Sequence, residues 1–158
     1  MANKKITDLP ELTAVASDDV LEIVDTSAGA SMKISQGNLV GGQPKAWTPA
    51  PVGWVSILGV FRYITFGNIC IAFINVTAGT SNDTVATLTL PVTSANVPNH
   101  VWGGVCGRAV DASAVLTTPC RWEVTANSNI VTFYKDMASA AWTNSGTKLV
   151  RATVIYEI

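Results

Sequence analysis

The chain has 158 residues, 48% of them hydrophobic and only 13% charged, with a net charge of -1 and a positive mean hydropathy. That charge content is about half the ~25% usual in soluble domains. No apolar run approaches the ~18 residues of a membrane helix, and no basic field is present to gather nucleic acid, so neither membrane insertion nor nucleic-acid binding is expected.

Low charge without a spanning segment points instead to surface covered by copies of the chain or by partners. The start, Met1 to Lys5, is charged and leads into Ile6-Thr7-Asp8 with no apolar signal core. Folding in a cytoplasm is therefore expected. Cys70, Cys106 and Cys120 lack metal-ligand spacing and read as reduced, mostly buried thiols, with room for one disulfide. The sequons at Asn75 and Asn82 are then chance matches.

Residues 1–40 differ from the rest and hold six of the eleven acids: Asp8, Glu11, Asp18, Asp19, Glu22 and Asp25. Leu9-Pro10-Glu11-Leu12 is a Pro-restricted extended turn. Val20 to Val24 reads as a short strand and Ser31 to Ile34 as its return. Ser35 is a candidate N-cap for one helical turn through Leu39 and Val40, stopped by Gly41-Gly42. The apolar residues of this segment are too few for a core, so it is expected to order on something larger.

Residues 41–51, with two glycines and three prolines, read as a linker, with Trp47 and Pro49 at its border with the next domain. Residues 52–158 read as all β. The centre of this domain is Phe61 to Val76 (FRYITFGNICIAFINV), two strand-like runs joined by Gly67-Asn68. Gly at the first central position accepts the positive φ of a type II′ hairpin turn. Ile69, Ile71 and Phe73 would face one way, and Cys70, Ala72, Ile74 and Val76 the other. Both faces are apolar, which fits a strand with one face in the core and the other against a second subunit.

Thr84 to Leu90 alternates well, and 91–100 is a Pro/Asn-rich loop. Val101 to Val110 (VWGGVCGRAV) is an irregular strand whose glycines signal a bulge or a close backbone approach. CRWEVT at 120–125 alternates Cys120, Trp122 and Val124 against Arg121, Glu123 and Thr125. Ile130 to Tyr134 returns, 137–146 is a small-residue loop, and Leu149 to Ile158 closes the chain. Roughly eight short strands with Gly/Pro/Asn turns predict an antiparallel β-sandwich or jelly-roll, preceded by a small β-element with one short helix.

Catalytic signals are sparse. His100 is the one histidine and reads as a loop residue. Asp111, Glu123 and Asp136 are the carboxylates a hydrolase would need to bring within about 5–9 Å, yet they lie on or beside different strands. No metal cluster, phosphate loop or nucleophile elbow is present. Neither an enzyme nor a cofactor is therefore expected. Of the five tryptophans, Trp102 and Trp142 lie at loop borders and are the candidates for a sugar-stacking platform. Such a platform defines the alternative reading, a monomeric carbohydrate-binding module.

The stretches Lys5 to Leu12, Ala16 to Asp25, Met32 to Ser35 and Asn38 to Val40 resemble a segment at the start of many tailed-bacteriophage fibre, spike and head-fibre proteins. The block from Trp47 to Ala95, with Thr89-Leu90-Pro91-Val92 near its end, is similar to the β-sandwich heads of phage structural proteins. The resemblance implies a virion-attachment module over 1–40, with Ile6, Leu9, Pro10, Leu12, Val20, Leu21, Ile23, Val24, Ile34 and Leu39 as its docking residues. It also implies a homotrimeric head at 52–158 whose subunit interface would take Ile69, Ile71 and Phe73. The partners implied are the chain itself, phage capsid or tail proteins, and a host cell-surface glycan where the head serves adhesion. Its place would be the virion, after folding in the host cytoplasm. No shaft and no catalytic β-helix accompany these segments, which departs from the polysaccharide-cleaving tailspikes.

Overall fold

The computed structural model describes residues 43–158 throughout and, before them, the backbone of two paired strands. The chain divides into two compact units, Met1–Gly41 and Gly42–Ile158. In the first, β1 (Val20–Asp25) pairs antiparallel with β2 (Ala30–Ser35), setting Leu21 opposite Ile34 and Ile23 opposite Met32. The expected strand and its return are thus present. The helical turn expected after Ser35 lies outside the described residues, as do Ile6, Leu9, Pro10, Leu12 and Leu39.

The second unit is built from β3 (Lys45–Ala46), β4 (Pro51–Val52), β5 (Trp54–Phe66), β6 (Ile69–Ser81), β7 (Thr87–Thr89), β8 (Val101–Val105), β9 (Arg108–Asp111), β10 (Ala114–Val115), β11 (Arg121–Thr125), β12 (Ile130–Tyr134) and β13 (Leu149–Glu157). A six-stranded sheet runs β10-β9-β13-β6-β5-β3 and a five-stranded sheet runs β4-β7-β12-β11-β8. Every pair is antiparallel. Among the described residues there is no helix. The core lies between the sheets. Cys70, Ala72, Ile74, Val76, Val150, Val154 and Tyr156 from one meet Leu88, Trp122, Val124, Val131 and Phe133 from the other. This is a sandwich-like all-β unit.

The β5–β6 hairpin forms where its residues place it. Phe66 pairs with Ile69 across Gly67-Asn68, and Gly67 takes φ +58 while Asn68 keeps a negative φ, as a type II′ turn requires. The turn is held from outside by the end of the chain. The Asn68 side-chain amide donates to Glu157 Oε1 at 2.8 Å, and the Ile158 amide donates to the Asn68 carbonyl at 2.7 Å. At its far end β5 loses register near Val55 and Leu58, a bulge that bends the long strand.

Two expectations are corrected. The stretch read as a linker is, over 43–51, part of the sandwich-like unit. β3 adds to β5, β4 adds to β7, and Pro49 is buried. Trp47 packs edge-on against Phe61 and Tyr63 at 5.7 and 6.1 Å, and its indole N–H donates to the Thr89 carbonyl at 3.2 Å. The reason is apolar area: Trp and Pro cover sheet edges, where a missing amide donor costs nothing. Likewise, the strand read over 101–110 divides at Cys106-Gly107 into β8 and β9, which belong to different sheets. Its glycines mark a close approach. A Cβ on Gly104 would fall 2.7 Å from the Trp122 ring, so glycine makes the space that this core indole fills.

Candidate functional site

The side chains of β5, β6 and β13 alternate between the core and the outside, so the pairing register maps the outer face directly. One row across the three strands is Ile64, Ile71 and Ile155. The next is Phe66, Ile69 and Glu157, and on the other side lie Arg62, Phe73 and Thr153. Six apolar side chains, Ile64, Phe66, Ile69, Ile71, Phe73 and Ile155, are therefore contiguous across β5, β6 and β13. Phe66 is 60% exposed, Ile155 50% and Phe73 43%. Arg62, Arg151, Thr153 and Glu157 border the patch. The inner rows bury Cys70, Ala72, Ile74 and Val76, so the expected division of β6 into two apolar faces is what the fold shows. Beside Phe73 the patch opens into a groove of about 490 Å³ lined by Asn75, Val105, Cys106, Gly107 and Arg151.

The outer face of the five-stranded sheet differs. Its rows carry Arg121 with Tyr134, Glu123 with Thr132 and Thr87, Ile130 with Thr89, and Thr125 with Val101. Arg121 donates to Glu123 at 2.6 Å and to Ser139 at 2.6 Å, and its guanidinium lies 4.5 Å over the Tyr134 ring. The exposed apolar residues on this face, Val52, Val101, Val105 and Ile130, sit at strand ends.

Two buried ionic groups tie the loops to the sandwich. Lys148 is fully buried, and its ammonium donates to the carbonyls of Gly53 (3.0 Å), Asp83 (2.8 Å) and Val85 (2.9 Å) between the rings of Trp54 and Trp142. Its three N–H donors thus have three acceptors, which closes the hydrogen-bonding account of a buried amine. Burial pushes its pKa down, against the pull of Asp111 and Asp83. Asp111 is buried as well. It accepts from the Thr143 amide and hydroxyl and from Lys135 at 2.9 Å. Burial alone would raise its carboxyl, but Lys135 and Thr143 outweigh that and hold it below the usual range. Lys148 carried no signal in the sequence, and Asp111 stood out there only as one of three carboxylates on or beside different strands.

The remaining site candidates are dispersed. Trp142 is only 2% exposed, and its indole N–H donates to the Phe133 carbonyl at 2.8 Å, so its face is closed to a ligand. The loop around it is largely exposed, as its small residues suggest, but Trp142 itself turns inward over Lys148. Trp102 is half-buried on β8 and meets His100 edge-on at 4.5 Å. The two tryptophans do not form one platform. Asp111 is engaged in the core and Glu123 with Arg121. Asp136 accepts from the Ala138 and Ala140 amides at 2.9 and 3.0 Å, closing a turn. Each carboxylate thus has its own structural partner. Of the residues named for attachment, Val20, Leu21, Ile23, Val24 and Ile34 lie on the β1–β2 hairpin. Among the described residues, no group of three or more His, Cys, Asp or Glu is placed to hold a metal, and no helix is long and apolar enough to cross a membrane. No known protein-family model matches this chain, and no curated protein is detectably similar to it in sequence.

Proposed function

We propose that this protein is a structural component of a bacteriophage particle, a short homotrimeric fibre or decoration protein that acts by binding and without turnover. Residues 1–40 grip the capsid or tail. The sandwich is the head, and it serves host adhesion or shell decoration. The observation that carries this reading is the apolar outer face centred on Ile71, which takes Ile69 and Phe73 with it. Water-facing sheet surfaces are ordinarily polar, and one of the two outer faces here is. A contiguous apolar patch across β5, β6 and β13 is the surface a sister chain would cover. The low charge of the chain agrees with that, and the likeness of 1–40 to phage attachment segments supplies the setting. The repeated passage of the chain between the sheets fits the jelly-roll side of the fold expectation. In this reading the chain folds in the host cytoplasm before assembly into the virion.

Light scattering on the purified full chain tests the reading. The expected mass is three times 16.6 kDa. A monomer that persists as concentration rises into the range of about 100 μM, well above the Kd of a stable interface, would overturn it.

A further inference from the structure

We propose that Cys106 and Cys120 form a latent cross-strand staple, a dithiol that closes to a disulfide when a small-molecule disulfide reaches it. The inference is independent of the function proposed above.

β8 and β11 pair with Val105 opposite Arg121, and the same register carried one residue further sets Cys106 opposite Cys120. The Cys106 amide donates to the Cys120 carbonyl at 2.7 Å, so the ladder does continue through this pair. Directly opposed residues point to the same face, and in a hydrogen-bonded pair their Cα atoms lie about 5.5 Å apart. That separation is within the range a disulfide spans without backbone movement. Both cysteines are free thiols.

Access differs between the two in the order an exchange reaction needs. Cys106 is half-buried and lines the groove beside Phe73 and Arg151, whereas Cys120 is 2% exposed behind it. The Cys106 thiolate attacks one sulfur of an incoming disulfide such as oxidised glutathione, forming a mixed disulfide and releasing one thiolate. The Cys120 thiolate then attacks the Cys106 sulfur and releases the second. Two protein thiols are oxidised, one small disulfide is reduced to two thiols, and the two protons lost by the cysteines go to the leaving thiolates. The neighbouring Cys120 and burial both raise the Cys106 thiol, so the dithiol is slow to react near neutral pH and faster as pH rises. Cys70, fully buried on the inner face of β6 between β5 and β13, stays out of reach.

The position gives the bridge a consequence. Cys106-Gly107 is the corner where the chain leaves the five-stranded sheet for β9, and the Gly107 amide is held by the Arg151 carbonyl at 2.8 Å. A bridge to Cys120 would close the whole β9–β10 excursion into a loop at its base, on the five-stranded sheet.

The test is incubation of the full chain with oxidised glutathione at about pH 8.5, near the ordinary thiol pKa, followed by peptide mapping without reduction. The expected product lacks two hydrogens, links Cys106 to Cys120, leaves Cys70 free, and unfolds roughly 5–10 °C higher than the reduced protein. The Cys120→Ser variant should instead stop at a glutathione adduct on Cys106. Failure to lose the two hydrogens, pairing that involves Cys70, or bridges only between chains would each overturn the proposal.

Discussion

The two outer faces of the sandwich were made by the same alternation and ended as opposites. On the five-stranded sheet, threonines and the Arg121, Glu123 and Tyr134 group face water. On the six-stranded sheet the corresponding positions are isoleucine and phenylalanine. Their inner faces are alike, each supplying fully buried aliphatic and aromatic side chains to one core. The surplus apolar surface is therefore not a by-product of building the core. It lies on β5, β6 and β13, largely over rows where β3 and β9 no longer pair and these three strands make the whole width of the sheet. What the difference teaches is that the outer face of a sheet can be apolar independently of the face that folds the domain.

The sharpest way to break this comparison is to charge each face in turn. The double change Ile71→Asp with Phe73→Asp should lower the light-scattering mass to that of a single chain, a loss of 100-fold or more in association, because two carboxylates would be desolvated without partners. Thr132→Glu on the other face should leave the mass unchanged and shift stability by no more than about 0.5 kcal/mol. If both variants behave alike, the asymmetry has no role in assembly.

The interior that the faces share can be weighed separately. Lys148→Met keeps the volume but strands the carbonyls of Gly53, Asp83 and Val85. A loss of about 2–4 kcal/mol in urea unfolding is expected, with the β-sheet circular dichroism retained. Asp111→Asn should cost about 1–2 kcal/mol at pH 7 and flatten the acid limb of the stability curve. The folded carboxyl is held below its usual value, so its contribution is complete above about pH 3.9 and disappears as pH falls through the depressed value. Native protein should lose stability over that window faster than the Asn variant. The smallest effect belongs to Arg121→Ala. Its ion pair with Glu123 is about one quarter exposed on both sides, so under ~1 kcal/mol is expected, with no change in mass.

Much of the architecture was legible in the residues because strand alternation is a local signal. CRWEVT divides into buried Cys120, Trp122 and Val124 and outward Arg121, Glu123 and Thr125, and Gly67-Asn68 makes the turn its φ preference demands. Sites were less legible. Trp142 lies in a loop of small residues, which looks like surface, yet its own ring turns inward over Lys148. The stretch over 43–51 looks like a linker by composition, yet its Trp and Pro have apolar area that two sheet edges can bury.

The sequence by itself determined which residues of each strand would share a face, because side chains alternate strictly along an extended backbone. It determined too that β6 would be apolar on both sides. Only the tertiary structure decided which of those two faces would be enclosed. That choice depends on which strands pair, and on where the chain crosses from one sheet to the other. The same crossing brings Cys106 opposite Cys120 and gives Lys148 its three carbonyls, contacts between residues far apart in the chain that no local pattern encodes.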